Sequence, residues 1–154
     1  MKEIKGSFSG KGKKVAIVAS SFNEMISKEL VYSCTRTLQK CGVNDNDIIL
    51  VWVPGAYEIP SVSAKLAQFK KVDAVICLGA IIRGETPHFE YISSAVSRGI
   101  SQVSLESKMP VIFGIITADT QEQAVERAGI KQGNRGKEAA LAALELLDTF
   151  LQID

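Results

Sequence analysis

Short apolar runs rich in β-branched residues alternate along this chain with longer stretches whose apolar residues recur every three or four positions. That alternation leaves few folds open. Lys14–Ser20 (KVAIVAS) reads as a strand covered on both faces, and Ile48–Val53 (IILVWV), Ala74–Ala80 (AVICLGA) and Val111–Thr117 (VIFGIIT) read as the strands that follow it. Between the first two, Ile26, Leu30, Cys34, Leu38 and Cys41 keep helical spacing, and Gly42 stands at the expected stop. Cys34 and Cys41 share that helix face and read as small core residues. Ile59, Val62, Leu66 and Phe69 mark a second helix, with Pro60 in its permitted first turn. Phe89, Ile92, Val96, Ile100 and Val103 mark a third. Thr120 with Gln123 gives a capping-box start to a short helix ending near Ala128, and Ala140, Leu144, Leu147 and Leu151 form the stripe of a last one.

Strand–helix alternation of this kind predicts right-handed crossovers and a parallel sheet with helices on both faces. The expected fold is α/β, a flavodoxin-like three-layer sandwich on a four-stranded sheet. It spans residues 1–154 as a single domain with an N-terminal arm over residues 1–13. Lysines interleaved with Gly and Ser in that arm give no continuous apolar stretch for a signal peptide. The arm reads either as solvated or loosely docked, or as an addition to the sheet edge of a neighbouring subunit. Eighteen basic against seventeen acidic residues leave a net charge of +1, too little for a nucleic-acid partner held by a broad basic face. No apolar run reaches the roughly 18 residues that would span a membrane. Three cysteines without a Cys-x-x-Cys pair point away from a disulfide framework or a zinc site and toward a reducing, cytoplasmic setting.

In doubly wound folds ligands bind outside the carboxyl ends of the strands, so the loops there carry the functional reading. Phe22 follows the first strand among small and polar residues. It is either a hydrophobic staple on the first helix or a flat stacking surface for a planar ligand. Pro54-Gly55 turns the chain after the second strand, and Glu58 either favours the following helix dipole or accepts hydrogen bonds from a polyol. After the third strand, Thr86 reads as a helix cap and Pro87 as the first helical residue, which makes a start suited to an anion. The glycines there form neither a P-loop nor a dinucleotide fingerprint. His88, the single histidine, stands in that first turn as either a surface residue or an acid–base group. Arg127 ends the short helix, and residues 128–137 carry further glycines and cations, either as a solvated connector or for phosphate recognition. Taken alone, these residues describe an enzyme or binder of a phosphorylated small molecule working by acid–base chemistry.

Taken together and in order, Ser21-Phe-Asn-Glu24, Trp52-Val-Pro-Gly-Ala-Tyr-Glu-Ile-Pro60, the run Leu78–Tyr91 (LGAIIRGETPHFEY), Val111–Thr117 and Arg127–Gly136 (RAGIKQGNRG) closely resemble the 6,7-dimethyl-8-ribityllumazine synthases of riboflavin biosynthesis. The resemblance runs from about Gly6 to Leu151. It implies condensation of 5-amino-6-(D-ribitylamino)uracil with 3,4-dihydroxy-2-butanone 4-phosphate, without a metal or organic cofactor. By resemblance, Phe22 stacks on the pyrimidine, Ala56, Tyr57 and Glu58 hold the ribityl chain and ring edge, and Ala80, Ile81 and Ile82 line the pyrimidine pocket. Glu85 and Thr86 supply backbone donors to the phosphate, and His88 transfers protons. Phe113 and Arg127 complete the pocket of an adjacent subunit, with Arg127 on the phosphate. The partners implied are the two small substrates and further copies of the chain, in a pentamer or a hollow sixty-subunit shell of twelve pentamers. The connector without an insertion leans toward the shell.

Arg135 departs from the resemblance, because the family often has Lys there. A guanidinium fork is not an ammonium, and no role is assigned to it. Gln132, where a small residue is common, is expected to face solvent. Two alternatives share the scaffold. A non-catalytic flavin or lumazine binder could dispense with His88 and Arg127, and a sugar-phosphate isomerase-like protein has no need of the Phe22 and Trp52–Pro60 blocks.

Overall fold

A computed structural model describes residues 1–69, 71–129 and 134–154. Its strands are β1 (Val15–Ser20), β2 (Ile48–Val53), β3 (Ala74–Ile82) and β4 (Val111–Ala118). Its helices are α1 (Glu24–Lys40), α2 (Ile59–Gln68), α3 (His88–Ser107), α4 (Gln121–Arg127) and α5 (Arg135–Ile153). The strands form one parallel sheet in the order β2-β1-β3-β4.

Successive strand side chains point to opposite faces, and here both faces are covered. Val15, Ile17 and Ala19 of β1 join Ala74, Ile76 and Leu78 of β3 under α1, α4 and α5. Ala16 and Val18 join Val75, Cys77 and Ile81 under α2 and α3. This is why β1 and β3 read as continuous apolar runs. Ile17, Leu30, Ile76 and Leu144 are fully buried in these layers. Each such side chain contributes on the order of 1.5–3 kcal/mol relative to exposure. Strand β2 lies at the sheet edge, where Ile49, Leu50 and Trp52 stay partly exposed despite their strand-like composition. No helix among the described residues is long and apolar enough to cross a membrane.

The strand order brings β1 and β3 side by side, although β2 lies between them in sequence. The connections leaving them therefore diverge at the carboxyl edge, which opens a crevice there. The two strands approach closely at that edge. A Cβ on Gly79 would lie 2.4 Å from the Ser20 Oγ.

Several boundaries differ from the sequence reading. β3 runs two residues further, to Ile82, because pairing with β4 continues through Ile82 and Ala118. α3 begins at His88, with Pro87 in the cap position, one residue later than expected. α5 begins at Arg135, well before its apolar stripe. The Asn134 Oδ1 accepts the Lys137 N–H at 3.1 Å, and Gly136 packs on α1, where a Cβ would stand 2.4 Å from the Leu30 carbonyl oxygen. Residues 134–137 of the expected connector are thus helix cap and first turn, while Gln132 lies outside the described residues.

The arm docks on its own chain. Ser7 N–H donates to Asp148 at 2.7 Å, Gln152 Nε2 to the Lys5 carbonyl at 3.1 Å, and Gly10 N–H to the Cys41 carbonyl at 2.8 Å. Cys34, Cys41 and Cys77 are free thiols. Burial pushes Cys34 and Cys77 up to about 12, and the Ser63 hydroxyl beside Cys77 opposes the shift there.

Candidate active site

The loop after β1 is tied to the β2 loop by backbone hydrogen bonds and to β3 by a side chain. Pairing of β1 with β2 continues beyond the strands, with Ser21 N–H on the Val53 carbonyl at 2.7 Å and Phe22 N–H on the Pro54 carbonyl at 3.0 Å. Asn23 adopts the left-handed region, with φ at 60°, which an Asn tolerates better than most residues. Its side-chain amide then reaches the Ala80 carbonyl at 3.1 Å. Phe22 is fixed between the ends of three strands, yet 71% of it is exposed, so it does not pack as a staple on α1.

Gly55–Glu58 forms the entry to α2 as a single tight turn. The Glu58 Oε1 accepts the Gly55 N–H at 3.1 Å, so one carboxylate oxygen holds the loop in shape. Ala56 is buried and Tyr57 exposed. Ala80 and Ile81 are buried at the end of β3, and Ile82 is half-buried.

The loop from Arg83 to the start of α3 is held differently. No side chain caps α3: the Glu90 N–H donates to the Pro87 carbonyl at 3.1 Å, and the one side-chain contact to its first N–H is a long one, from His88 N–H to the Thr86 Oγ1 at 3.4 Å. Arg83 instead spans the loop. Its backbone N–H donates to the Ala118 carbonyl at 2.9 Å, its Nε to Asp119 at 2.8 Å, and its Nη1 to Glu90 in the first turn of α3. The guanidinium also lies over the Phe89 ring, 4.4 Å from the centroid. Hydrogen bonds to Asp119 and then Glu90 push Arg83 above its ordinary value, and the bond from Arg83 holds the Glu90 carboxyl below its own.

These loops enclose a cavity of about 530 Å³ at the carboxyl edge of the sheet, within the size range of small-molecule sites. Phe22 lines it from β1, Ala56, Tyr57 and Glu58 from the β2 loop, Ala80, Ile81 and Ile82 from β3, and Thr86 and His88 from the start of α3. The walls are thus mainly apolar and aromatic, and the Glu58 carboxylate, the Tyr57 and Thr86 hydroxyls and the His88 imidazole line the same space. Such a set can stack a planar ring, bind hydroxyls and move a proton. Asn23, Gly84, Phe89 and Ile92 also line the cavity and were not expected to. The sequence shows Phe89 and Ile92 only as core positions of a helix face. Arg83 gave no local signal, because its partners Glu90 and Asp119 meet it only through the fold. Among the described residues no three His, Cys, Asp or Glu side chains come together to hold a metal ion.

Three residues expected at the site do not line this cavity. Glu85 is exposed in the loop between two lining residues. Phe113 pairs with Cys77 near the amino end of β4 and lines a separate groove with Ile100 and Leu105 of α3. Arg127 ends α4, where its guanidinium donates to the Thr117 carbonyl at 2.7 Å. A single chain therefore supplies the planar-ring and imidazole side of the expected site, and its Phe113 and Arg127 stand elsewhere on the surface.

A family model described as 6,7-dimethyl-8-ribityllumazine synthase matches residues 12–150, and the chain belongs to that family.

Proposed function

We propose, from that family membership, that the protein condenses 5-amino-6-(D-ribitylamino)uracil with 3,4-dihydroxy-2-butanone 4-phosphate. The products are 6,7-dimethyl-8-ribityllumazine, phosphate and water, as a step of riboflavin biosynthesis. The observation that carries this reading is the cavity itself. An exposed Phe22, the Glu58 carboxylate and the His88 imidazole come from three different loops and converge on one space.

Phe22 offers its ring to the pyrimidine, and Ala80, Ile81 and Ile82 form the apolar wall against it. Backbone groups of residues 56–58 and the second Glu58 oxygen hold the ribityl hydroxyls. The amine of the pyrimidine attacks the butanone carbonyl, and the resulting carbinolamine loses water to an imine. Loss of the proton from the carbinol carbon then expels phosphate with the electron pair of its C–O bond, and the resulting enol takes up a proton at its terminal carbon to become a methyl ketone. The ribitylamino nitrogen closes the ring on that ketone, and a second water leaves. His88 carries protons from nitrogen to departing oxygen in these steps, a role suited to an imidazole. The helix start at residues 85–88 presents N–H groups that have no partner within the helix, which stabilises the departing anion. Holding both substrates edge to edge supplies a further share of the rate.

Phe113 and Arg127 act in the cavity of an adjacent copy, with Arg127 on the phosphate, which makes the working unit a homo-oligomer, a pentamer or a shell of pentamers, in the cytoplasm. The support for this is their position away from the cavity of their own chain. The test is direct. Mixing the purified protein with both substrates should generate the fluorescent lumazine and one phosphate per lumazine. Tight binding of the lumazine without any turnover would identify a carrier instead.

A further inference from the structure

We propose that Arg83 is a positioning residue for this reaction: it clamps the mouth of the cavity by joining the first turn of α3 to the β4–α4 loop. The inference rests on the function proposed above and names a residue that function does not use.

Three observations carry it. First, Arg83 is the residue at which the chain leaves β3, and its guanidinium reaches Glu90, beyond the whole of the loop that bears Thr86 and His88. The contact closes that loop on itself. Second, the same guanidinium donates to Asp119 at 2.8 Å, and Asp119 N–H is in turn bound by the Gln123 side chain of α4 at 2.9 Å. The clamp thereby extends to the helix whose last residue is Arg127. Third, the guanidinium covers Phe89, whose ring forms part of the cavity wall. Beyond the Glu90 N–H on the Pro87 carbonyl and the packing of Phe89 and Ile92 against the core, little else fixes this segment. α3 has no side-chain cap, Thr86 gives one long bond, and Gly84 stands in open space.

An exposed ion pair alone contributes little to stability. The function of this one lies in geometry. A guanidinium can engage two carboxylates in a fixed plane while stacking on a ring, and an ammonium cannot. Without Arg83, the helix start and His88 lose their fixed distance from the pyrimidine wall. A displacement near 1 Å costs up to about 10²-fold in rate.

The experiment compares wild type with Arg83→Ala, Arg83→Lys and Glu90→Gln in the assembled protein. Two readouts are taken, steady-state kinetics and hydrogen exchange of amides 84–90. Arg83→Ala should lower kcat about 10- to 100-fold, leave KM for the pyrimidine within about twofold, and speed exchange of those amides. Arg83→Lys should recover only part of kcat, and Glu90→Gln should add little to the loss in Arg83→Ala, because the two act through one contact. Wild-type kcat in Arg83→Ala, or a loss of kcat without faster exchange, overturns the proposal. Should Arg83→Ala fail to fold, Glu90→Gln alone carries the test by the same two readouts. Failure of the wild type to form lumazine overturns the proposed function, while the exchange measurement still reports on the clamp.

Discussion

The carboxyl edge of this sheet has two unequal halves. The half built by β1, β2 and β3 is complete within one chain. Its loops are hydrogen-bonded to one another, and their side chains close around a cavity. The half expected from β4 and α4 is not. Phe113 faces α3 near the amino end of its strand, and Arg127 turns back to the Thr117 carbonyl. On the function proposed here, the first half receives the flat ring and moves protons, and the second carries the Arg127 guanidinium meant for the phosphate. A chain divided in that way would position one substrate alone and would need a second copy to grip the other.

The comparison breaks most decisively if a lone subunit works. Leu105 is 79% exposed and shares a groove with Phe113. Leu105→Glu should weaken association of the chains, and subunits separated this way should lose more than about 100-fold in turnover, since positioning of the phosphate substrate is lost. Sedimentation velocity on the same samples should show active wild type as a pentamer or larger. A fully active monomer would mean that both halves of the site belong to one chain.

Next in size is His88→Ala. A positioned acid–base group contributes about 10²–10⁴ in rate, and amine and carbonyl also react unaided, so a loss near 10²-fold is expected. The side chain is exposed in the first turn of α3, so fold and pyrimidine affinity should persist. The chain has one histidine. Any imidazole-dependent limb of the pH–rate profile should therefore disappear in the variant. Unchanged turnover and an unchanged profile would leave the complete half of the site with binding and orientation only.

The sequence carried the fold further than it carried the site. The four strands and five helices of the described residues were legible, because burial on both faces of β1 and β3 and single-face burial of the helices leave period-specific patterns. Where these two boundaries moved, strand pairing, a local cap and helix packing moved them. β3 extends because β4 continues to pair with it, and α5 starts early because Asn134 caps it and Gly136 fits against Leu30. Grouping of the first three loops was legible too, since doubly wound sheets gather ligands at one edge. What stayed hidden depends on contacts between distant segments. Arg83 lies in an ordinary-looking loop, and nothing local in the sequence marks Asp119 and Glu90 as its partners. The arm reads as loosely attached by composition, yet Asp148 and Gln152 hold it on α5.

Arg127→Ala acts on the second half alone. One of its five donors is engaged with Thr117 in this chain. Removing a charge-assisted contact to phosphate costs about 1.5–3 kcal/mol. KM for the butanone phosphate should rise by roughly 10- to 150-fold, with the dissociation constant of the pyrimidine, measured by fluorescence titration, nearly unchanged. Equal losses for both substrates would assign Arg127 a structural role through its bond to the β4 end.

The smallest effect expected is the mirror experiment, Phe22→Ala. Phe22 is largely exposed and held by its backbone, through Phe22 N–H on Pro54 and the neighbouring Asn23 amide on Ala80. Truncating the ring therefore leaves the loop in place and removes only the stacking face. An aromatic pair contributes about 0.5–1.5 kcal/mol beyond its area, so pyrimidine affinity should fall roughly 2- to 13-fold. KM for the butanone phosphate should stay within about twofold, because the phosphate contacts proposed above lie at the α3 start and on a neighbouring copy. Phe22→Leu should recover part of the burial and none of the ring stacking, and should fall between the two. If Phe22→Ala instead raised KM for the butanone phosphate as much as it weakened pyrimidine binding, the two halves would be coupled through the β1 loop. The division of labour along the sheet edge would then be wrong, even with both Arg127 and His88 behaving as expected.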